Sequence, residues 1–511
     1  MFRKVLIANR GEIALRISRA CREMGIRTVA VYSDADRAAA HVLGADEACR
    51  LGPPEPSESY LAVDKVLEAA RRFGADAVHP GYGFLSENTT FAEACEAAGI
   101  RFIGPSSEAI RRMGDKLEAR RGANEFDVPV IPGTLGENQT LEDLIRAAPE
   151  IGFPVMLKAV GGGGGKGMRI VERPEDLEAA ARTAASEAKK AFGNDELYLE
   201  RCVTGARHVE VQVARDVHGA STHLFERECS VQRRHQKLIE EAPAAISPEL
   251  RDRMTSAAVR IADGIDYVTV GTVEFLVQGD DFHFLEMNTR LQVEHPVTEL
   301  ITGVDLVKLQ IRLAAGEPLG LAASDLEIQG HAIEARICAE DPEASFRPSF
   351  GTVTDVRLPG GPGIRIDADL RVGTEVSVYY DPLVAKIIAH GPDRAACVDR
   401  LRHALRELQV GGIRTTAPFL AEVLGDPGFR DRPYDTGYIP EYMERRPPLV
   451  ADSDGTGAAT DVARTLAALA ALVHDASRSQ GGAATPDDGE SVAEAPWISQ
   501  GRVAQMRGVR G

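Results

Sequence analysis

The sequence predicts an α/β protein of several domains, and three features lead to that fold class. Strand-like and helix-like segments alternate at the start of the chain, as in a doubly wound parallel sheet. A run of five glycines separates two β-rich segments near residue 160. Residues 284–299, FLEMNTRLQVEHPVTE, continue a strand into a row of polar side chains. With 511 residues, 44% apolar and 27% charged, the chain has a globular composition and can form several cores.

The N-terminal segment predicts a βαβ unit. Residues 4–8 form a short apolar strand, residues 11–24 carry one apolar helical face, and residues 28–32 form the next strand. Asp34, near the end of that strand, suggests a dinucleotide site, but the first turn, NRGE, has one glycine where G-x-G-x-x-G is needed. A later strand, residues 77–79, leads into the glycine-rich loop HPGYGFLSEN, where open α/β sheets bind ligands.

The glycine run predicts a hairpin that closes over phosphate. Apolar strands at residues 155–160 and 168–171 flank residues 161–165, whose backbone N–H groups can surround anionic oxygens. It is not a Walker A loop, because no helix follows and Gly167 stands where Ser or Thr is needed. A flexible linker is the alternative, and the β-rich flanks favour the phosphate lid.

Residues 273–288 predict a hairpin in which two carboxylates face each other. If residues 279–281 form a three-residue loop, Glu274 lies opposite Glu286, and the two charges repel unless a cation binds between them. Together with Asn288 they form an all-oxygen ligand set that suits Mg²⁺ or Mn²⁺. Three more polar residues follow at the same spacing: Arg290, Gln292 and Glu294. A solvated hairpin face would explain one or two of these six residues.

The overall composition limits the kinds of partner and the location that we expect for this chain. The net charge of −18 argues against a nucleic-acid or anionic-membrane surface, so anionic substrates must be held by local cations. The seven cysteines are scattered without a C-x-x-C pair, which indicates reduced thiols and a cytoplasmic location. No apolar run reaches transmembrane length, and the chain enters a strand directly after Met1, so we expect no signal peptide.

Ten segments, in order, closely resemble biotin carboxylases of the ATP-grasp superfamily. They are KVLIANRGEIALR (4–16), HPGYGFLSEN (79–88), MGDK (113–116), LKAVGGGGGKGM (157–168), RHVEVQV (207–213), ECSVQRRHQKLIEEAP (228–243), GTVEF (271–275), FLEMNTRLQVEHPVTE (284–299), GHAIEARICAEDP (330–342) and YYDPLVAKI (379–387). The resemblance covers residues 1 to about 445. It implies an N-terminal doubly wound domain (1–114), linker helices and an ATP-grasp lid (115–203), an ATP-grasp core (204–330), a carboxylase-type C-terminal domain (331–446) and a partly helical tail (447–511).

The resemblance also implies an activity: ATP phosphorylates bicarbonate to carboxyphosphate, which then carboxylates biotin at N1′. The implied catalytic residues are Glu294 as general base, Arg336 at the biotin ureido oxygen, and Lys237 and Arg290 at bicarbonate. Gln292 and the Val293 amide complete the bicarbonate seat, and Tyr82 contributes to biotin binding. The nucleotide residues are Lys116 and Lys158 at the phosphates, Gly161, Gly162, Gly163, Gly164 and Gly165 in the lid, and Glu200, Arg201, Val203, His208, Gln232 and His235 on the adenine and ribose side. Glu274, Glu286 and Asn288 are the implied Mg²⁺ or Mn²⁺ ligands.

Three positions depart from the family pattern. Arg201 and Lys166 replace a usual Lys and Arg, and Pro362 stands where bacterial relatives can carry an interface Phe. We still expect a homodimer or larger assembly, with Arg19 and Glu23 at the dimer contact, although Pro362 weakens that expectation. Two alternatives are a regulatory nucleotide-binding relative without turnover and an ATP-grasp ligase with an amine acceptor; the complete catalytic set argues against both.

The partners follow from the same resemblance. No A-M-K-M segment occurs in the 511 residues, so we expect biotin on a separate biotin carboxyl carrier protein. Carboxyltransferase subunits are the other expected partners, as in acetyl-CoA or propionyl-CoA carboxylase. Residues 460–476 predict a helix with one apolar stripe, and Trp497 offers a second anchor, so the tail is a candidate docking segment. A disordered tail with a chance stripe is the alternative.

Overall fold

Four ranges of the chain are described by the computed structural model: residues 1–136, 139–160, 168–431 and 433–446. They belong to one unit, Met1–Arg446. The five lid glycines and the predicted tail lie outside the described residues, so those two predictions stay predictions. Within the described ranges, no helix is both long and apolar enough to cross a bilayer.

The N-terminal sheet has five parallel strands in the order β3-β2-β1-β4-β5. Its elements are β1 (Lys4–Ile7), α1 (Gly11–Glu23), β2 (Arg27–Ser33), α2 (Ala40–Gly44), β3 (Glu47–Gly52), α3 (Val63–Phe73), β4 (Ala77–His79), α4 (Thr89–Ala97) and β5 (Arg101–Phe102). Helix α1 packs Ile13, Ile17 and Cys21 into the core beside the sheet, because these residues recur with the helical period. The predicted βαβ start is confirmed.

A three-stranded antiparallel sheet, β7-β6-β8, follows three linking helices. The elements are α5 (Ser107–Gly114), α6 (Lys116–Glu125), α7 (Leu141–Ile151), β6 (Val155–Ala159), β7 (Met168–Val171), α8 (Leu177–Phe192) and β8 (Leu197–Arg201). Strands β6 and β7 pair with Lys158 opposite Met168, which confirms the two strands predicted on either side of the glycine run.

The largest sheet has eight strands in the order β13-β12-β9-β10-β11-β14-β21-β19. The elements that form its first six strands and the helices between them are β9 (Arg207–Arg215), β10 (Ser221–Arg233), β11 (Gln236–Ala242), α9 (Pro248–Gly264), β12 (Thr269–Gln278), β13 (Asp281–Asn288), α10 (His295–Thr302), α11 (Leu306–Ala314) and β14 (His331–Cys338). Because β14 pairs with β11, residues on both sides of position 330 share this sheet.

The remaining elements complete the sheet and cover it. They are β15 (Glu340–Asp341), β16 (Arg347–Pro348), β17 (Gly351–Thr352), β18 (Asp355–Arg357), β19 (Ile364–Ala368), β20 (Glu375–Val376), β21 (Leu383–Gly391), α12 (Arg394–Glu407), β22 (Gln409–Gly411), α13 (Ala417–Val423), α14 (Pro427–Arg430) and α15 (Tyr438–Arg445). Helix α12 buries Val398 and Leu401 in the core that includes Ile337 and Ile387 of β14 and β21. This packing supports β14, the interior strand that carries Arg336.

The β12–β13 hairpin pairs Glu274 with Glu286 as predicted, but its loop length and strand register differ from the prediction. Gln278 pairs with Asp281, so the loop has two residues instead of three. A β-bulge between Phe275 and Glu274 then shifts the register by one, because Leu285 on β13 has no opposite residue. The shorter loop and the bulge cancel, and the two carboxylates still face each other.

Candidate active site

A row of charged side chains crosses four neighbouring strands of the large sheet. Glu286 lies opposite Glu274, Glu274 opposite Glu210, and Glu210 opposite Arg227. Alternation along each strand sends the intervening valines, such as Val273, into the core on the other face. The sheet therefore collects three carboxylates and one guanidinium in a single line.

Lys237 is the cation at the centre of this site. Its Nζ donates to carboxylate oxygens of Glu210 at 2.6 Å, Glu274 at 3.0 Å and Glu294 at 2.6 Å. Burial acts to lower the pKa of Lys237, but these three carboxylates outweigh it and hold the pKa well above its usual value. Lys237 is therefore a permanent ammonium. Potential metal-ligand atoms of His208, Glu210 and Glu274 also lie within 4.8 Å of one another. The ammonium of Lys237 already supplies positive charge to that cluster.

Glu294 lies just before helix α10 and is 1% exposed. Its two oxygens are held by different cations, one by Lys237 and the other by Arg336 Nη2 at 2.9 Å. Burial acts to raise the pKa of Glu294, but Lys237 and Arg336 outweigh it, so the pKa lies well below the usual value for Glu. The carboxylate is ionised and its orientation is fixed.

Three predicted anion-binding groups adjoin Glu294. Gln292 donates its amide N–H to Glu274 at 2.8 Å and accepts from Arg227 at 3.0 Å. Arg290 is anchored by Glu87 and Asn288, both at 2.8 Å. The carbonyl of Val293 accepts from Lys386 at 2.7 Å, which orients the peptide between Val293 and Glu294. The structure thus brings together the residues predicted to seat bicarbonate.

The predicted metal ligands differ in how many partners they already have. Glu274 Oε1 accepts from Lys237, Asn288 and Gln292, and Oε2 lies 3.0 Å from His208 Nε2. The carbonyl oxygen of Asn288 accepts from Arg290. By contrast, Glu286 makes no hydrogen bond or ion pair within the four described ranges. Burial, followed by the charge of Glu274, raises the pKa of Glu286. A half-buried carboxylate that is short of positive charge, beside further oxygen donors, fits Mg²⁺ or Mn²⁺.

The predicted phosphate-binding lysines lie next to this face. Lys158 pairs with Glu200, whose other oxygen lies 3.2 Å from Arg120 Nε. Lys116 begins helix α6, and burial lowers its pKa, with Lys158 adding to that effect and Glu286 opposing it. Four residues predicted on the adenine and ribose side have these positions: Arg201 is exposed at the end of β8, Val203 is half-buried after it, Gln232 lies opposite Lys237, and His235 lies in the β10–β11 turn. His208, a fifth, lies against Glu274, and Glu200, the sixth, pairs with Lys158 and Arg120.

A cavity of about 440 Å³ opens beside the reaction centre. Arg336, Arg290 and Val293 line it, as does Tyr82, the residue predicted to contribute to biotin binding. The hydroxyl of Tyr82 donates to Glu12, which also pairs with Lys386 at 3.3 Å. The cavity thus connects the N-terminal domain with the guanidinium of Arg336.

Sequence reasoning missed several residues that hold this site. Glu210 and Arg227 are fully buried and orient Lys237 and Gln292. The alternation in RHVEVQV, with a charge and an amide between valines, was the available signal for Glu210. Glu240, which holds Arg336, and Lys386, which reaches Val293, were also missed because strand register brings them there.

Comparisons with known proteins identify the family of the chain. Family models match the biotin carboxylase N-terminal domain over residues 1–110, the ATP-binding domain of the carbamoyl-phosphate synthase L chain over 115–322 and the biotin carboxylase C-terminal domain over 334–441. The chain is 49% identical to a biotin carboxylase of Nostoc sp. over 442 residues, 86% of this chain and 99% of that protein. It is 46% identical to the propionyl-CoA carboxylase alpha chain of Ruegeria pomeroyi over 497 residues, 93% of this chain and 72% of that protein.

A solved structure gives the same result. The biotin carboxylase domain dimer of Hydrogenobacter thermophilus 2-oxoglutarate carboxylase, in complex with MgADP, ADP and bicarbonate, has a TM-score of 0.84. It is 46% identical and the match covers 87% of this chain and 98% of that one. The fold and the site define an ATP-dependent ligase. The chain belongs to the biotin carboxylase family, whose reaction is the ATP-dependent carboxylation of biotin, the first half-reaction of biotin-dependent carboxylases.

Proposed function

We propose that Glu294 is the general base of this reaction and removes the proton of bicarbonate as a bicarbonate oxygen attacks the γ-phosphorus of ATP. The observation that carries the proposal is the position of its carboxylate, buried between Lys237 and Arg336 and two residues from Gln292. As the oxygen–phosphorus bond forms, the bond to ADP breaks and carboxyphosphate results. The bond between its carboxyl carbon and the phosphate oxygen then breaks as that carbon bonds to N1′ of biotin, and the N1′ proton leaves with the released phosphate.

The cations around Glu294 make its basicity depend on the substrate. In the structure Lys237 and Arg336 hold the pKa of Glu294 low, which makes it a weak base. Bicarbonate bound at Lys237 and Arg290 would share those positive charges, and its own negative charge would raise the pKa of Glu294. The base therefore becomes stronger when the molecule it deprotonates is present.

The residues at the nucleotide end of the site would neutralise the negative charge of the ATP phosphates. Glu286 and Glu274, with Asn288, would hold the divalent cation, and Lys116 and Lys158 would contact the phosphates. A bound Mg²⁺ supplies further positive charge to the phosphate oxygens. Arg336 then stabilises the negative charge that develops on the ureido oxygen of biotin in the adjoining cavity.

We further propose that biotin is presented by a carrier protein and that carboxyltransferase subunits complete the assembly. The Ruegeria relative is named as the alpha chain of a propionyl-CoA carboxylase, and its match covers 93% of this chain. Residues 1–446 are about 87% of 511, so the match includes part of the tail. This supports residues 447–511 as a segment for docking a partner of that kind.

The test of the base is the Glu294→Gln variant. Bicarbonate-dependent ATP hydrolysis and carboxylation of free biotin should fall by roughly 10²–10⁴-fold, while ATP binding stays near normal. Glu226→Gln is a matched control, because Glu226 is equally buried but pairs with Arg251 of helix α9 instead of with Lys237 or Arg336. Near-normal turnover by Glu294→Gln would refute the assignment. A wild-type chain that binds ATP without bicarbonate-dependent hydrolysis would favour a regulatory role, and hydrolysis that requires an amine would favour another ligase.

A further inference from the structure

Two buried carboxyl groups face each other behind Arg336. Strands β11 and β14 pair with Glu240 directly opposite Glu334, a register that places their Cβ atoms about 4.5–5.5 Å apart. Both residues have 0% exposure. Neither contacts the bicarbonate seat, and the proposed mechanism uses Glu240 only through its bond to Arg336 and gives Glu334 no role.

The hydrogen bonding of this pair is incomplete. Glu240 Oε1 accepts from Arg336 Nε. Among the described residues, no group donates to Glu240 Oε2 or to either oxygen of Glu334. Three buried oxygens without a donor are costly, and two opposed carboxylates add repulsion to that cost. One proton placed between the two carboxyl groups satisfies two of these three oxygens and removes the repulsion.

The charged groups around the pair do not replace that proton. On β21, Lys386 donates to the Val293 carbonyl and pairs with Glu12. On β11, Lys237 is shared by three other carboxylates. On β14, Arg336 divides its donors between Glu240 and Glu294. Glu294 adds a further negative charge nearby.

We propose that Glu334 is held as a neutral carboxylic acid whose O–H donates to Glu240, and that the pair, carrying one negative charge, positions Arg336 for biotin. Burial raises the pKa of Glu240 to about 7, against the opposing effect of Arg336. Burial also raises the pKa of Glu334 well above its usual value, against Lys386. These directions agree with one proton retained by the pair at neutral pH.

The consequence concerns the second partner of Arg336. When Glu294 accepts the proton of bicarbonate, it becomes neutral and its bond to Arg336 Nη2 weakens. Glu240 keeps its bond to Nε, so the guanidinium stays in place with Nη2 available to the ureido oxygen. Glu334 is thus a positioning residue that acts through Glu240. This inference rests on the proposed roles of Glu294 and Arg336.

Infrared difference spectroscopy tests the shared proton without measuring turnover. We expect the wild-type protein at neutral pH to show the C=O band of a buried carboxylic acid, absent in Glu334→Gln and present in Glu12→Gln. Glu12 is the control because burial raises its pKa to about 7 as well. If the wild-type protein shows no such band, or if the band disappears in Glu12→Gln alone, the proposal is wrong. Should Glu334→Gln not fold, the wild-type band must still shift in Glu240→Gln, and an unshifted band refutes the pair.

Kinetics test the positioning role. Glu334→Gln keeps an N–H donor for Glu240, whereas Glu334→Leu does not. We expect the value of kcat/KM for free biotin to be at least about tenfold lower in Glu334→Leu than in Glu334→Gln, since a hydrogen bond to a charged group is lost. Bicarbonate-dependent ATP hydrolysis without biotin should differ much less between the two. Equal losses in both assays would refute positioning, whereas a wild-type chain without any bicarbonate-dependent hydrolysis would refute the proposed function and leave the infrared result standing.

Discussion

Replacement of Lys237 by Gln probes the electrostatic centre of the site. The ammonium makes three contacts of 2.6–3.0 Å to the carboxylates of Glu210, Glu274 and Glu294. Removing one member of a buried ion pair typically costs about 3–5 kcal/mol, because the remaining charge is left without compensation. Three carboxylates share this lysine, so we expect a loss of at least about 3 kcal/mol in the free energy of unfolding at neutral pH.

The pH dependence of that loss has a definite sign. In the wild-type protein the pKa values of Glu274 and Glu294 are held below their usual value, with Lys237 the largest lowering influence on each. Such groups contribute stability above their unfolded pKa of about 4.3, and that contribution is lost as the pH falls. In Lys237→Gln the carboxylates are free to take up protons, so the deficit should be largest above about pH 5 and should shrink below it.

The assay is denaturant unfolding of both proteins at neutral pH and at about pH 4, below the pH at which the deficit begins to shrink. The matched control is Lys308→Gln, because Lys308 pairs with Glu23 at the surface. An exposed pair of this kind is worth about 0–1 kcal/mol. If Lys237→Gln lost no more stability than this control, or lost the same amount at both pH values, the three-carboxylate arrangement would be refuted.

Three further predictions follow from the site and the tail. Glu286→Ala should lose metal-dependent nucleotide binding, with metal-free stability unchanged or higher because repulsion with Glu274 is relieved; unchanged nucleotide affinity in titration calorimetry would contradict the metal face. Arg290→Met should raise the KM for bicarbonate by roughly 10–100-fold through loss of a charged hydrogen bond, and an unaltered KM in steady-state assays would exclude Arg290 from the seat. Deletion of residues 448–511 should leave carboxylation of free biotin intact but prevent co-purification with carboxyltransferase or carrier subunits, and assembly at full affinity would exclude docking by the tail.

Local patterns predicted much of the fold, while residues joined by strand register were harder to find. The pairing of Glu274 with Glu286 followed from alternation, but the two-residue loop and the bulge at Leu285 did not, because a bulge depends on both strands. Lys237 and Arg336 were found in charged segments that resemble the family. Glu240 and Glu334 lie in the same segments and were missed, because the two side chains face each other only when β11 and β14 pair.

The attack of bicarbonate on ATP is tested most directly by following its oxygen. Bicarbonate labelled with ¹⁸O is supplied with ATP, Mg²⁺ and free biotin, and the inorganic phosphate formed is examined by mass spectrometry. If a bicarbonate oxygen attacks the γ-phosphorus, the bond later broken in carboxyphosphate is the one between carbon and that oxygen, so each phosphate carries one labelled oxygen. Phosphate that contains no label, formed at the same rate as carboxybiotin, would contradict the account of Glu294 and its surroundings.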